Sequence, residues 1–210
     1  MFCFSVIYSS PPIQERSFSQ VISHNGNILE RRDLTAHFLD TSVAVRVFNP
    51  DPLTPYGYNY GGSYVDMNDG NGSVLDSLTI IDSITVNTNS GGAILENKYL
   101  KVVDFDAPYI APSSNPTQWM ASRSDDAIEQ VMVVYHITLW NQYLDSLGYD
   151  SLLNYAIHVD PQALNNQDQS MFNFGYTPPR LYFGEGGVDD AEDADVIIHE
   201  LSHAISHGAA

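Results

Sequence analysis

The sequence predicts an α+β protein, in which a β-rich N-terminal region precedes a long helix, a short strand pair and a second helix. Residues 41–110 are rich in Thr, Val, Ile and Tyr and are interrupted by turn-forming segments such as "DMNDGNGS" and "NTNSGG", a pattern typical of antiparallel strands. Residues 124–148 and the residues from about Ala191 onward instead repeat apolar side chains at three- and four-residue steps, which indicates helices.

The composition limits the function classes. The 210 residues are 43% hydrophobic, and eight Lys+Arg against 26 Asp+Glu give a formal net charge of −18. This charge disfavours nucleic acid or an anionic membrane as partner, because both attract basic surfaces. No apolar run has the length of a membrane span. Cys3 is the single cysteine, which excludes an internal disulfide framework but is compatible with export.

The N-terminal segment predicts a hairpin. In "VISHNGNILERRDL", apolar residues flank Asn25-Gly26, a dipeptide that favours a two-residue turn between antiparallel strands. The opening "MFCFSVIYSS" has no preceding Lys or Arg and no small-residue cleavage site. We therefore interpret it as a strand within a longer protein rather than as a signal peptide.

The long helix is predicted from residue 124 to residue 148. Ser124 is placed to cap its first turn, and Gly148 is placed to end it. The apolar stripe consists of Ile128, Val131, Tyr135, Leu139 and Tyr143. Two short strands, "YAIHVD" and "RLYFG", then flank a polar loop.

The last predicted helix carries the pattern H-E-x-x-H at His199-Glu200-Leu201-Ser202-His203. Residues four apart lie on one helical face, so both imidazoles can bind one zinc ion. Glu200 is one residue round from the first ligand, where it can accept a proton from a zinc-activated water that attacks a peptide carbonyl. The alternative is a chance match on a surface helix.

A third zinc ligand is not evident from the spacing. His207 continues the stripe, but eight helical residues rise about 12 Å, whereas zinc–nitrogen bonds are about 2 Å long. We interpret His207 as a cation at the helix C-terminus. Glu185 is upstream, and nothing in its spacing supports ligation.

The acidic run "GGVDDAEDAD" has two interpretations. One is an acidic first turn that complements the helix dipole. The other is one side of a calcium site, because calcium prefers clustered carboxylates. The acidic residues are Asp189, Asp190, Glu192, Asp193 and Asp195.

"MFNFGYTPPRLYFGEGGVDDAEDADVIIHELSHAI" resembles the active-site segment of the thermolysin and fungalysin metallopeptidases, and is more similar to the fungalysin-like side. The matching features are Asn173 in an edge-strand segment, a strand that ends in Gly184-Glu185-Gly186, and the H-E-x-x-H helix. The long helix and the β-rich region also look like that family, and "VISHNGNILERRDL" resembles the end of its propeptide. The resemblance implies a propeptide-like hairpin region at 1–38, a β-rich part of the peptidase at 39–112, and the first part of the zinc catalytic domain at 113–210.

The resemblance also implies roles. His199 and His203 would bind Zn²⁺, Glu200 would be the general base, and Asn173 would hydrogen-bond the substrate backbone. A turn-forming Asn is the alternative for Asn173. Asp195 falls where thermolysin-like enzymes place a Ca²⁺ ligand. The family's third zinc ligand is a glutamate on a following helix, so we expect the chain to be the front part of such an enzyme, cut after the zinc helix and inactive alone.

Two hypotheses follow. The first is a secreted, extracellular zinc metalloendopeptidase with protein or peptide substrates. The second is a non-catalytic β-rich adhesion or interaction module with a degenerate H-E-x-x-H. In the first case we expect the 210 residues to bind zinc weakly, because two imidazoles leave the ion under-coordinated.

Overall fold

A computed structural model describes residues 18–22, 28–33, 39–64, 73–89, 92–120, 122–150 and 152–209. Both helices and strands are present, with a β-rich N-terminal part followed by a long helix, so the predicted α+β class is confirmed. The chain divides into two compact units, Met1–Phe38 and Leu39–Ala210. The interpretations of the opening segment and of Cys3 lie outside the described residues, as does most of "DMNDGNGS".

The first unit contains a two-stranded antiparallel hairpin. Strand β1 (Phe18–Ile22) pairs with β2 (Ile28–Asp33), with Phe18 opposite Asp33 and an irregularity between Val21 and Ile22. These strands flank Asn25-Gly26, which confirms the predicted hairpin pairing. The turn itself is outside the described residues.

The second unit begins with a three-stranded antiparallel sheet. Strands β3 (Leu39–Val47), β4 (Ile80–Asn89) and β5 (Gly92–Ala93) lie in that order. A short helix α1 (Ser73–Asp76) precedes β4. The β3 strand alternates, since Val45 and Val47 are buried while Ser42 and Ala44 are exposed. One face of this sheet therefore belongs to the core.

The second sheet is mixed and has four strands. Strands β6 (Leu100–Val102), β7 (Ile157–Asp160), β8 (Ser170–Asn173) and β9 (Arg180–Phe183) lie in the order β6-β7-β9-β8. The β6–β7 and β7–β9 pairs are parallel, whereas β8 is an antiparallel edge strand. The prediction of an antiparallel region throughout 41–110 is therefore wrong for β6. A long helix connects β6 to its neighbour β7, and such a crossover makes adjacent strands parallel.

Helix α2 (Ala127–Ser146) lies at the centre of the unit. It contacts β3, β4, β6 and the last helix, and every residue from Ala127 to Thr138 is buried. The predicted stripe is wrong at its end, since Leu139 is 42% exposed and Tyr143 is 53% exposed. Because the first three turns are enclosed on all sides, burial there does not follow one face.

Of the two predicted ends of α2, the start is wrong and the stop is confirmed. The helix begins after Asp126, which makes no side-chain capping bond, so the predicted Ser124 cap is wrong. Gly148 follows the helix at a φ of 87°. Its N–H donates to the Asp145 carbonyl, and the Tyr149 N–H donates to the Leu144 carbonyl. This Schellman arrangement confirms the predicted glycine stop.

Helix α3 spans Ala194–Gly208. Asp193 is its N-cap, and the Asp193 side chain accepts a hydrogen bond of 2.7 Å from the Asp195 N–H. Residues Asp190–Glu192 form a separate 3₁₀ turn, so the helix starts later than the predicted Ala191. Its inner face is completely buried at Ile197, Leu201 and Ala204.

The segments on either side of residue 112 belong to one compact unit, because β6 pairs with β7 within the same sheet. Further 3₁₀ turns lie at Thr54–Tyr56 and Pro116–Met120. Among the described residues, no helix has the length and apolar character needed to cross a membrane.

Candidate metal centre

The two histidines of the H-E-x-x-H pattern lie together on the outer face of α3. Both are exposed, and their Nε2 atoms are 3.2 Å apart. The ring planes cross at 86°. Two zinc–nitrogen bonds of 2.0–2.1 Å at a tetrahedral angle separate their nitrogens by about 3.3–3.4 Å. The imidazoles of His199 and His203 therefore fit two positions of a tetrahedral zinc site.

No third donor completes the pair within the residues that the structure describes, since no group of three closely spaced His, Cys, Asp or Glu atoms includes both histidines. His207 lies in the last turn of α3 and contacts two phenylalanines instead. Its ring stacks on Phe174 at 5.3 Å and meets Phe172 edge-on at 5.8 Å. The interpretation of His207 as a cation at the helix C-terminus stays a prediction.

Glu200 is held differently from the histidines, because it is only 6% exposed. Its Oε1 accepts a hydrogen bond of 3.2 Å from the Ser170 hydroxyl, at the start of edge strand β8. Burial raises the pKa of Asp190 to about 6, and the nearby carboxylates of Asp168, Glu200 and Asp193 add to that shift. Glu200 is thus anchored in an acidic, largely buried surrounding.

Asn173 is not brought to the histidine pair. Ser170 and Phe172 face α3, as their contacts with Glu200 and His207 show. Successive side chains of a strand point to opposite faces, and β8 pairs with β9 without interruption. Asn173 therefore points to the other face, where its Oδ1 accepts a hydrogen bond of 2.9 Å from the Gly175 N–H. This is the turn-forming contact of the alternative interpretation.

The acidic run does not form one carboxylate cluster. Asp189 and Glu192 are buried, whereas Asp195 is exposed. Asp193 caps α3 through the Asp195 N–H, which is the role expected for an acidic first turn. Calcium binding at Asp195 stays a prediction.

A buried ion-pair group was missed by the sequence reasoning. Arg123 is completely buried, and its Nε and Nη2 donate hydrogen bonds of 2.9 Å to Glu192 and Asp189. Glu129 of α2 lies close to both carboxylates, and one oxygen from each of the three carboxylates lies within 4.8 Å of the other two. The three carboxylates could hold a metal ion, but Arg123 already places a positive charge between two of them. The feature of the sequence that could have indicated this group is Glu129, a charged residue that directly follows the apolar Ile128 near the start of α2.

Comparisons with protein-family models, with curated proteins and with solved structures found no match to this chain. The resemblance to zinc metallopeptidases therefore stays a prediction from the sequence motifs.

Proposed function

We propose that this chain provides two zinc ligands, His199 and His203, and the general base, Glu200, of a secreted zinc metalloendopeptidase. The observation that carries the proposal is the 3.2 Å separation of the two Nε2 atoms on the exposed face of α3. This separation is close to the span of two ligands at a tetrahedral zinc ion. The protein or peptide substrates and the extracellular location are part of the proposal and rest on the resemblance.

The reaction would be hydrolysis of a peptide bond. Bound zinc lowers the pKa of a water molecule and polarises the scissile carbonyl. The Glu200 carboxylate would accept the proton of the attacking water and return it to the leaving amine. Ser170 holds one oxygen of that carboxylate, which restricts its orientation. A third zinc ligand is required, and the resemblance implies a glutamate on a helix that follows His203.

Zinc binding by the 210-residue chain tests the ligand assignment. We expect weak binding in a competition with a chromophoric chelator, because two imidazoles leave the ion under-coordinated. His199→Ala and His203→Ala should each abolish it. His207→Ala is the matched control, since it removes another exposed histidine from the same helix. Zinc binding that survives loss of both His199 and His203 would contradict the proposal.

Peptide hydrolysis by the longest natural form of the protein tests the base. Glu200→Gln keeps the shape of the side chain but removes the proton acceptor. We expect hydrolysis of a fluorogenic peptide to fall by about 10²–10⁴-fold, with zinc binding unchanged. An active form that is indifferent to Glu200→Gln would show that Glu200 is not the base.

One observation favours the non-catalytic alternative, an adhesion or interaction module. Tyr58 stacks on Tyr56 at 6.1 Å and on Tyr64 at 4.5 Å, and Tyr56 and Tyr58 are 45% and 43% exposed. Exposed tyrosines are enriched at protein interfaces. The hydrolysis experiment separates the two functions, because an interaction module would show no zinc-dependent hydrolysis for Glu200→Gln to abolish.

A further inference from the structure

The face of the four-stranded sheet that is turned away from α3 carries a row of polar side chains. Lys101 of β6 is in register with His158 of β7, and His158 is in register with Arg180 of β9. Asn173 of β8 is opposite Arg180 on the other side of β9. Residues side by side on neighbouring strands point to the same face, and Leu181, which follows Arg180, is completely buried on the other one. These four polar residues therefore share one face, which we call the distal face.

Arg180 is held on the distal face by aromatic rings. Its Cζ lies 3.8 Å from the centre of the Tyr176 ring and 4.3 Å from that of the Phe105 ring. Within the part of the chain that the structure describes, Arg180 forms no ion pair with a carboxylate, and its buried Nε has no hydrogen-bond partner. Asp160 of the neighbouring strand β7 instead accepts hydrogen bonds of 2.9 Å from the Phe105 and Asp106 N–H groups. The rings position the guanidinium without supplying an anionic acceptor for its N–H groups.

Asn173 adds a second donor group beside Arg180. Directly opposite residues of an antiparallel pair have Cβ atoms about 4.5–5.5 Å apart. The Asn173 Oδ1 accepts a hydrogen bond of 2.9 Å from the Gly175 N–H, so the other end of the amide is the Nδ2 group with its two protons. This is the one side-chain hydrogen bond of Asn173 among the described residues. An amide donor and a guanidinium thus lie side by side, and both residues are half-buried.

This pair of donors is suited to a carboxylate. A guanidinium fork donates two parallel hydrogen bonds to the two oxygens of a carboxylate, and the neighbouring amide can donate to the same group. A phosphate group offers similar oxygens but carries a charge of about −1.5 to −2. The formal net charge of −18 repels a multiply charged anion more strongly than a singly charged one. The site therefore fits a single carboxylate better than a phosphate.

We infer that Asn173 and Arg180 form a binding site for one carboxylate group on the distal face of the sheet. Peptides present such a group as a C-terminal carboxylate or as an Asp or Glu side chain. Tyr176, which contacts Arg180 and is 44% exposed, adds apolar surface that a peptide can contact beside the carboxylate. The site uses neither zinc nor its candidate ligands, so it is independent of the proposed function.

The test is NMR titration of the zinc-free 210-residue chain with three small probes. N-acetyl-glycyl-glycine carries only a C-terminal carboxylate, N-acetyl-glutamate α-amide carries only a side-chain carboxylate, and N-acetyl-glycinamide carries none and is the blank. We expect a carboxylate probe to shift the Asn173 Nδ2 and Arg180 Nε signals with a millimolar Kd. The ring signals of His199 and His203 should stay in place, because they lie beyond the opposite face of the sheet.

The two carboxylate probes and inorganic phosphate decide the class of ligand. A response to one carboxylate probe alone would support the site and identify which kind of peptide carboxylate it takes. If neither carboxylate probe shifts the Asn173 and Arg180 signals, the inference is overturned. It is also overturned if inorganic phosphate binds more tightly than both probes, because the site would then select charge rather than a carboxylate.

Asn173→Asp is the most specific variant. The aspartate keeps an oxygen for the Gly175 N–H but replaces the donor group with a negative charge beside Arg180. We expect carboxylate binding to weaken by at least about tenfold, as for loss of a hydrogen bond to a charged group. Arg180→Gln should weaken binding at least as much. Arg180→Lys keeps the charge without the planar fork and should bind with an affinity between those of wild type and Arg180→Gln.

Lys101→Met is the matched control. It removes another cation from the same row, but Lys101 pairs with Glu96 at 3.0 Å, and two strand spacings of about 4.8 Å separate β6 from β9. Carboxylate binding should therefore stay nearly unchanged. If Lys101→Met weakens binding as much as Asn173→Asp does, general attraction to positive charge explains the binding and the assigned site is overturned. Both substitutions are at positions that are not fully buried, so this comparison does not depend on whether the Arg180 variants fold.

Discussion

Replacing Arg123 with methionine tests how the interior of the second unit balances its charges. The guanidinium is completely buried and makes hydrogen bonds of 2.9 Å to both Asp189 and Glu192. Methionine fills a similar volume but carries no charge. The substitution therefore removes the cation and leaves the buried carboxylates in place.

The expected loss follows from the charges that remain. Removing one partner of a buried ion pair costs about 3–5 kcal/mol, which is a large fraction of the 5–15 kcal/mol that stabilises a typical domain. For a unit of this size, a change of 1 kcal/mol shifts the melting temperature by about 2–4 °C. We therefore expect the melting temperature of Arg123→Met to fall by about 6–20 °C.

The assay is equilibrium unfolding in urea, followed by circular dichroism and repeated by thermal melting. Arg123→Lys should lose less stability than Arg123→Met, because it keeps the charge but not the planar fork. Lys98→Met is the control. Lys98 pairs with Asp145 at 2.8 Å on the surface, and exposed pairs contribute about 0–1 kcal/mol.

Acidification separates lost charge from lost packing. A carboxyl group that has lost its cationic partner carries no charge once it is protonated, so the stability difference between Arg123→Met and wild type should be smaller at acidic pH than at pH 7. A variant that unfolds within 1 kcal/mol of wild type at pH 7 would refute the reasoning. So would a loss of stability that does not depend on pH, because that result would assign the loss to packing alone.

Two further predictions concern buried groups. His136 is 4% exposed, its Nε2 lies 2.9 Å from the Phe48 carbonyl oxygen, and burial lowers its pKa from 6.5 to about 4. The unfolded chain therefore binds more protons below pH 6.5, and stability should fall by about 3 kcal/mol as the pH is lowered from 6.5 to 4. His136→Gln should remove this part of the acid sensitivity, measured as the difference from wild type in unfolding free energy between pH 7 and pH 5. A Cβ added at Gly184 would collide with the Gln167 carbonyl oxygen, so Gly184→Ala should destabilise by about 1–3 kcal/mol or more in urea unfolding. An unchanged unfolding midpoint for Gly184→Ala would contradict that close contact.

The sequence predicts those parts of the fold that depend on neighbouring residues. The hairpin around Asn25-Gly26, the strands at 157–160 and 180–183, and the glycine stop at Gly148 all follow from local conformational preferences. The parallel pairing of β6 does not follow in this way, because strand order depends on where the crossover helix packs. For the same reason, the exposure of Leu139 and Tyr143 could not be read from the helical period.

In the candidate site, too, the contacts between residues close in the sequence could be predicted, and the contacts that depend on packing could not. The contact between His199 and His203 is local to one helix and follows from their spacing. Asn173 was placed by analogy, and the pleat of β8 decides that it faces away from α3. Arg123 and Asp189 are 66 residues apart in the sequence. A periodic pattern of residues does not indicate which distant residues are in contact.

The helical register of α3 explains why Glu200 requires a partner that the histidines do not. Successive residues turn by about 100°, which places His199 and His203 opposite the buried face formed by Ile197 and Leu201. Glu200 falls at the boundary between the two faces and is 6% exposed. A carboxylate in that position loses water and requires a hydrogen-bond donor from the element packed against the helix. The sequence places Glu200 at this boundary, but only the packing of β8 against α3 identifies Ser170 as the donor.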